Sequence, residues 1–120
     1  MIVDSPYQMS LDMNLIRLLM MSLAGADVER GLMGYKDHAR DYHEALLIEA
    51  ELAHGNNTIL ADGRYMPIVI CLTWEGQQFL NSIKDDSVWN GVKQRLSKIG
   101  AYTLPIIQTV AAEVIKSQLV

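Results

Sequence analysis

The sequence predicts an α+β fold, mostly helical: a winged-helix-like domain with a β-hairpin wing, followed by two extra C-terminal helices. Three observations predict it. Apolar residues recur at helical spacing along most of the chain, one stretch ending at Leu72 is rich in β-branched residues, and Asp62-Gly63 offers hairpin-turn chemistry ahead of it. Their order is helix, ambiguous segment, helix, hairpin, helix. A three-helix bundle with an insert at Gly55 to Arg64 satisfies the same periodicity, and both readings stay open at this point.

Residues 1–9 have no clear period and contain Pro6, so they read as a flexible N-terminal arm. Ser10 is placed to cap a first helix from about Leu11 to Leu23, with Leu15, Ile16 and Leu19 inward and Asn14, Arg17 and Met21 outward. Gly25 ends it. Residues Ala26 to Gly34 suit either one helical turn or a short strand. From Lys36 to Ala50 a third element repeats Tyr35, Ala39, Tyr42, Leu46 and Ala50 as its buried stripe, leaving Asp37, Arg40, Asp41 and Glu44 to solvent.

Two turn signals follow, His54-Gly55-Asn56-Asn57 and Asp62-Gly63, bracketing Thr58-Ile59-Leu60. A strand from about Tyr65 to Leu72 comes next, and Pro67 confines it to an edge. Thr73 then caps a fourth helix with Glu75 in its first turn and Phe79, Leu80 and Ile83 inward. Glycine inside a helix costs about 1 kcal/mol relative to alanine, so Gly76 implies a close approach to its backbone. Trp74, Gly76 and Phe79 read together as packing that locks wing to core, which makes Trp74→Ala worth roughly 3–5 kcal/mol if the ring is buried.

Asp85-Asp86-Ser87 re-caps a fifth helix with Val88, Val92, Leu96 and Ile99 inward, ending near Gly100. Thr103 caps a sixth, with Pro105 in its first turn and apolar residues round most of its girth. Such a helix either folds back on the first and fifth helices or pairs two copies of the chain through Ile106, Val110 and Val114. The domain reading is therefore a core at residues 10–84 and a helical extension at 85–120.

Met13-Asn14-Leu15-Ile16-Arg17, Tyr42-His43 with Leu46-Leu47 and Glu49-Ala50, and Leu72-Thr73-Trp74-Glu75-Gly76 with Phe79-Leu80 are the residues through which the chain resembles a known family. Asp85-Asp86, Val88-Trp89, Val92 and the Leu104-Pro105 helix start extend the match. The family is an uncharacterised one of small proteins encoded by bacterial phages and prophages and described as winged-helix-like. Glu51 departs from it, since the family usually carries a glycine there to end the helix before Leu52. The resemblance brings no catalytic residue. It implies a small protein that binds and blocks a host or defence component.

Composition excludes several functions. No apolar run reaches the roughly 20 residues that span a bilayer, which with the single cysteine points to a reducing cytoplasm and no membrane, and the resemblance implies that the cytoplasm is a bacterial host's. Fourteen acids against ten bases give a net charge of −4, the wrong sign for holding phosphates. His38 and His43 are five residues apart and fall on different helix faces, so no metal is expected. Cys71 lies in an apolar run and reads as buried and inert. No phosphate loop is present, no cofactor is expected, and the reading is non-enzymatic.

Between Lys36 and Glu51, Lys36 and Arg40 face five acids, so a recognition helix here repels DNA. The leading expectation is an accessory or inhibitor that binds a protein partner through Asp37, Arg40, Asp41, Glu44 and Arg64. The alternative is a winged-helix DNA-binding transcriptional regulator.

Overall fold

A computed structural model describes residues 11–119, so the arm expected at residues 1–9 and the Ser10 cap lie outside the described residues. The chain runs α1 (Met13–Leu23), α2 (Glu29–Leu32), α3 (Asp37–Glu49), β1 (Ala53–Ile59), β2 (Tyr65–Leu72), α4 (Trp74–Ile83), α5 (Asp86–Leu96) and α6 (Leu104–Leu119). It is a mixed α+β fold, mostly helical, in which β1 and β2 form one antiparallel hairpin. The ambiguous segment after α1 holds the single turn α2.

Asp12 caps α1, its carboxylate accepting from the N–H groups of Asn14 and Leu15 at 3.0 and 3.2 Å. At the other end of α3, the Glu51 N–H donates to the Ile48 carbonyl and the Leu52 N–H to that of Leu47, the paired bonds of a Schellman ending. Glu51 takes the left-handed backbone such an ending requires, at φ 61. The helix therefore stops where a glycine would stop it, with a glutamate carrying the strain.

The turn expected at His54 to Asn57 is instead the body of β1. Asn56 pairs with Ile68 and Asn57 with Pro67, and the asparagines are strand residues because the hairpin closes further on. A Cβ on Gly55 would sit 2.2 Å from the Ile68 carbonyl oxygen, so this glycine answers a cross-strand approach rather than a turn. The register shifts between His54 and Gly55, leaving Ile70 of β2 without a partner residue. The chain reverses between Leu60 and Arg64, where the Leu60 N–H donates to the Arg64 carbonyl. One face of the hairpin is covered by α3.

The core gathers Leu15, Ile16, Leu19 and Met20 of α1 with Leu47, Leu52, Phe79, Ile83, Trp89, Val92 and Leu96. The inward face of α3 is turned from the expected stripe: His43, Ala45 and Leu47 are buried, while Tyr35, Ala39, Leu46 and Ala50 are only partly covered. The rotation follows from α3 being packed on two sides, by α1 and by the hairpin. Arg17, expected in solvent, crosses to the end of α4, donating from Nε to the Ile83 carbonyl at 2.9 Å and from Nη2 to the Lys84 carbonyl at 2.7 Å. Its guanidinium lies 5.3 Å from the Trp89 ring centroid, and the Trp89 indole N–H donates to Asn14 Oδ1.

Three further expectations are corrected. Trp74 is 72% exposed, because nothing lies over the first turn of α4 on its side, so it is not the lock between wing and core. Thr73 and Gly76 do that work. The Thr73 hydroxyl donates to the Glu51 carbonyl at 2.7 Å and accepts from the Gly76 N–H at 2.9 Å, and a Cβ on Gly76 would stand 1.9 Å from the Leu52 carbonyl oxygen. Cys71 is exposed rather than buried, since among the described residues no second layer covers the outer face of the two-stranded sheet. Val110 and Val114 are buried inside this chain, α6 folding back on α4 and α5 with Val114 against Gly91, so they are not free to meet a second copy.

Gly76→Ala is expected to lose about 3 kcal/mol in urea unfolding, because backbone rather than a mobile side chain opposes the new methyl. Trp74→Ala should change stability by no more than about 0.5 kcal/mol. Glu51→Gly is expected to gain about 0.5–1 kcal/mol by relieving the left-handed residue, read from the same denaturation midpoint.

Candidate functional site

The first turns of α3 and the tip of the hairpin meet across a cleft of about 230 Å³. Asp37, His38, Asp41 and Tyr42 form its helical wall, three or four residues apart on one side of α3. Leu60, Arg64, Tyr65 and Met66 form the opposite wall. The two walls are held in register by the Tyr42 and Tyr65 rings, which meet edge to face with centroids 5.8 Å apart. Lower on the hairpin, the Asn57 amide donates from Nδ2 to the Ala45 carbonyl at 3.1 Å and fastens β1 to α3.

Three of the residues expected to bind a partner, Asp37, Asp41 and Arg64, are thus brought together. Arg40 and Glu44 do not line the cleft, although they belong to the same helix and are half-buried on its flank. Arg64 is engaged: its Nε donates to Asp62 Oδ2 at 2.6 Å, and its backbone N–H to Asp62 Oδ1 at 3.1 Å. Among the described residues, neither Asp37 nor Asp41 has an ion-pair partner within 4.0 Å.

The electrostatics follow from this placement. Burial pushes the Asp41 carboxyl above its ordinary range, the charge of Asp37 adds to that, and Arg40, His38 and Arg64 oppose it. Glu44 is likewise raised, first by burial and then by Asp41, with Arg40 opposing. A cation entering the cleft would relieve both aspartates and could lie against the tyrosine rings. An anion would add to their repulsion.

His43 stands behind the cleft with a different task. It is buried, its Nδ1–H donates to the Ala39 carbonyl, and its Nε2 accepts the Asp12 N–H at 2.8 Å. Those two bonds define a neutral imidazole with the proton on Nδ1. Burial lowers its pKa, against the opposing effects of the Ala39 bond and the Asp12 charge. Sequence reasoning missed this tie between α1 and α3, because nothing in residue spacing announces a contact across thirty-one positions. Among the described residues no group of three or more His, Cys, Asp or Glu is arranged to hold a metal ion. Nor is any helix among them long and apolar enough to cross a membrane.

The imidazole's lowered pKa sets the sign of a pH effect. Its contribution to stability is complete above the ordinary value of 6.5 and is lost as pH falls towards the folded pKa, since the unfolded chain takes up a proton that the buried ring refuses. His43→Leu should cost about 1–3 kcal/mol at neutral pH by orphaning the Asp12 N–H. The difference in unfolding free energy between wild type and variant should narrow as the pH is lowered below that value, measured by urea denaturation at matched salt.

Residues 10–102 match the family described as Hypothetical protein (DUF2513), a span that takes in every element from α1 to α5. An uncharacterized protein of Haemophilus influenzae is 29% identical over 113 residues, covering 88% of this chain and 95% of that relative. No solved structure matches.

Proposed function

This chain belongs to the DUF2513 family, and from that premise we propose that it is a non-enzymatic, protein-binding accessory or inhibitor protein of phage type. It works in a bacterial cytoplasm against a host or defence component. Its first six elements, α1 to α4 with the hairpin between α3 and α4, are read as a winged helix, with α1 to α3 as the helix-turn-helix unit and the β1–β2 hairpin as the wing. The α5 and α6 helices are additions packed on α4.

The observation that carries this reading is the pair of carboxylates, Asp37 and Asp41, that make no ion pair among the described residues, in the cleft where a DNA-reading winged helix would present basic side chains. Phosphate contacts supply most of the affinity of such domains for DNA. Here the start of the reading helix is acidic and the basic residue of the wing, Arg64, is held by Asp62. A lysine or arginine side chain on a partner protein suits the same surface, since it would neutralise the aspartates and lie against Tyr42 and Tyr65.

The test joins two measurements. Duplex DNA of random sequence should show no shift with the wild-type chain at about 50 mM salt, where non-specific binders hold on best. Wild type immobilised in host lysate should retain a prey that an Asp37→Lys, Asp41→Lys double variant loses by at least tenfold, both proteins giving the same circular dichroism. Steeply salt-dependent DNA binding would overturn the reading in favour of a transcriptional regulator. Equal retention by both proteins would remove the cleft from it.

A further inference from the structure

The β2 strand is apolar on both of its faces. Tyr65, Pro67 and Val69 turn towards α3 and are half-buried, whereas Met66, Ile68 and Ile70 are 51, 58 and 70% exposed on the other side. The row beside them on β1 is His54, Asn56 and Thr58, all exposed, with Thr58 opposite Met66, Asn56 opposite Ile68, and His54 opposite Cys71. None of these seven outward residues carries a carboxylate, a lysine or an arginine. Natural sheets guard exposed strands with such charges or cover them, and an apolar strand face with neither marks an interaction surface.

We infer that this outer hairpin face is a self-complementary interface joining two copies of the chain. Two arguments choose a second copy over another protein. The chain carries a net charge of −4, and the acids of the described residues sit elsewhere, around α1 and α2, along α3 to its end, at the hairpin turn and from α4 to α6. Two copies can meet through the outer face without opposing any of them, while a charged partner would find nothing there to recognise it. The second argument is area and symmetry. With Met66, Ile68 and Ile70 at 51, 58 and 70% exposure and four exposed neighbours beside them, a pair closing over this face would bury on the order of 1,000 Å², the lower bound for a specific interface. A two-fold axis through Ile68 sets that side chain on its own equivalent and Met66 on the second copy's Ile70, leaving the neutral polar rows to pair with each other.

This places self-association on the hairpin, away from α6, where Val110 and Val114 are already spent inside the chain. It shares Met66 alone with the wall of the acidic cleft and none of the cleft's charged residues, so either can fail without the other.

Sedimentation of the full chain from about 5 to 200 μM tests it, that range bracketing the affinity expected of an interface this small. The wild-type mass should rise with concentration from 13.5 kDa towards twice that value. Ile68→Asp and, separately, Asn56→Glu should each raise the dissociation constant at least tenfold. The second of these replaces an exposed polar residue, so its fold is not at risk, and unchanged circular dichroism confirms that. Ile106→Asp on α6 should leave the association intact. A wild-type mass that stays at the monomer value throughout would overturn the inference and leave the face to a different protein. So would association that survives Ile68→Asp and Asn56→Glu, or association lost on Ile106→Asp.

Discussion

The fold hangs on a knot of backbone between the end of α3 and the start of α4. The Leu52 carbonyl accepts the Thr73 N–H at 3.1 Å, and the Glu51 carbonyl accepts the Thr73 hydroxyl. Through the same hydroxyl the Gly76 N–H is capped, and the missing side chain at Gly76 lets the Leu52 carbonyl rest on the helix. One step outward, Ala53 pairs with Leu72 to open the hairpin. Three elements therefore take their positions from four residues. The cost of the arrangement is a glutamate held at positive φ, which local preference alone would not select. Its retention says that tertiary contacts, rather than intrinsic propensity, dictate how α3 ends.

Two polar ties work alongside this knot at the borders of the apolar core. Arg17 spans from α1 to the last carbonyls of α4, where a helix leaves acceptors unsatisfied and a cation is favoured by the helix dipole. It also reaches Asp86 in the first turn of α5 and lies by the Trp89 ring, so one side chain sets three helices against one another. His43 does the corresponding job between α3 and the N-terminus of α1. Both replace exposed polar ends with internal bonds, a gain of about 1 kcal/mol for a neutral pair and more for the charged one.

Much of this was legible in the sequence, and the misses have physical causes. Thr73 and Gly76 were readable because a threonine before a helical pattern, and a glycine inside one, each admit few explanations. Trp74 was not, since a residue in the first turn of a helix is buried only if another element covers it, and periodicity carries no record of that neighbour. The same limit hid the outer face of β2: alternation shows that Met66, Ile68 and Ile70 share a side, not whether anything lies over it. His54 to Asn57 misled because glycine and asparagine serve a tight cross-strand approach as well as a turn. Helical spacing grouped Asp37 with Asp41. Bringing Arg64 to them took the hairpin, and showing that Arg64 is already held by Asp62 took atomic distances.

The hairpin is clasped at its base by the Leu52 to Thr73 knot and at mid-height by Asn57, while beyond Thr58 and Met66 the two tyrosine rings tie it to α3. The cleft thus has walls of unequal permanence. The backbone of its helical side is anchored in the core through His43 and Leu47. Its hairpin side is a loop tip whose length and chemistry can be exchanged freely. Substitutions at residues 60–64 would thus reshape one wall of the cleft while leaving Tyr65 and the scaffold behind it in place.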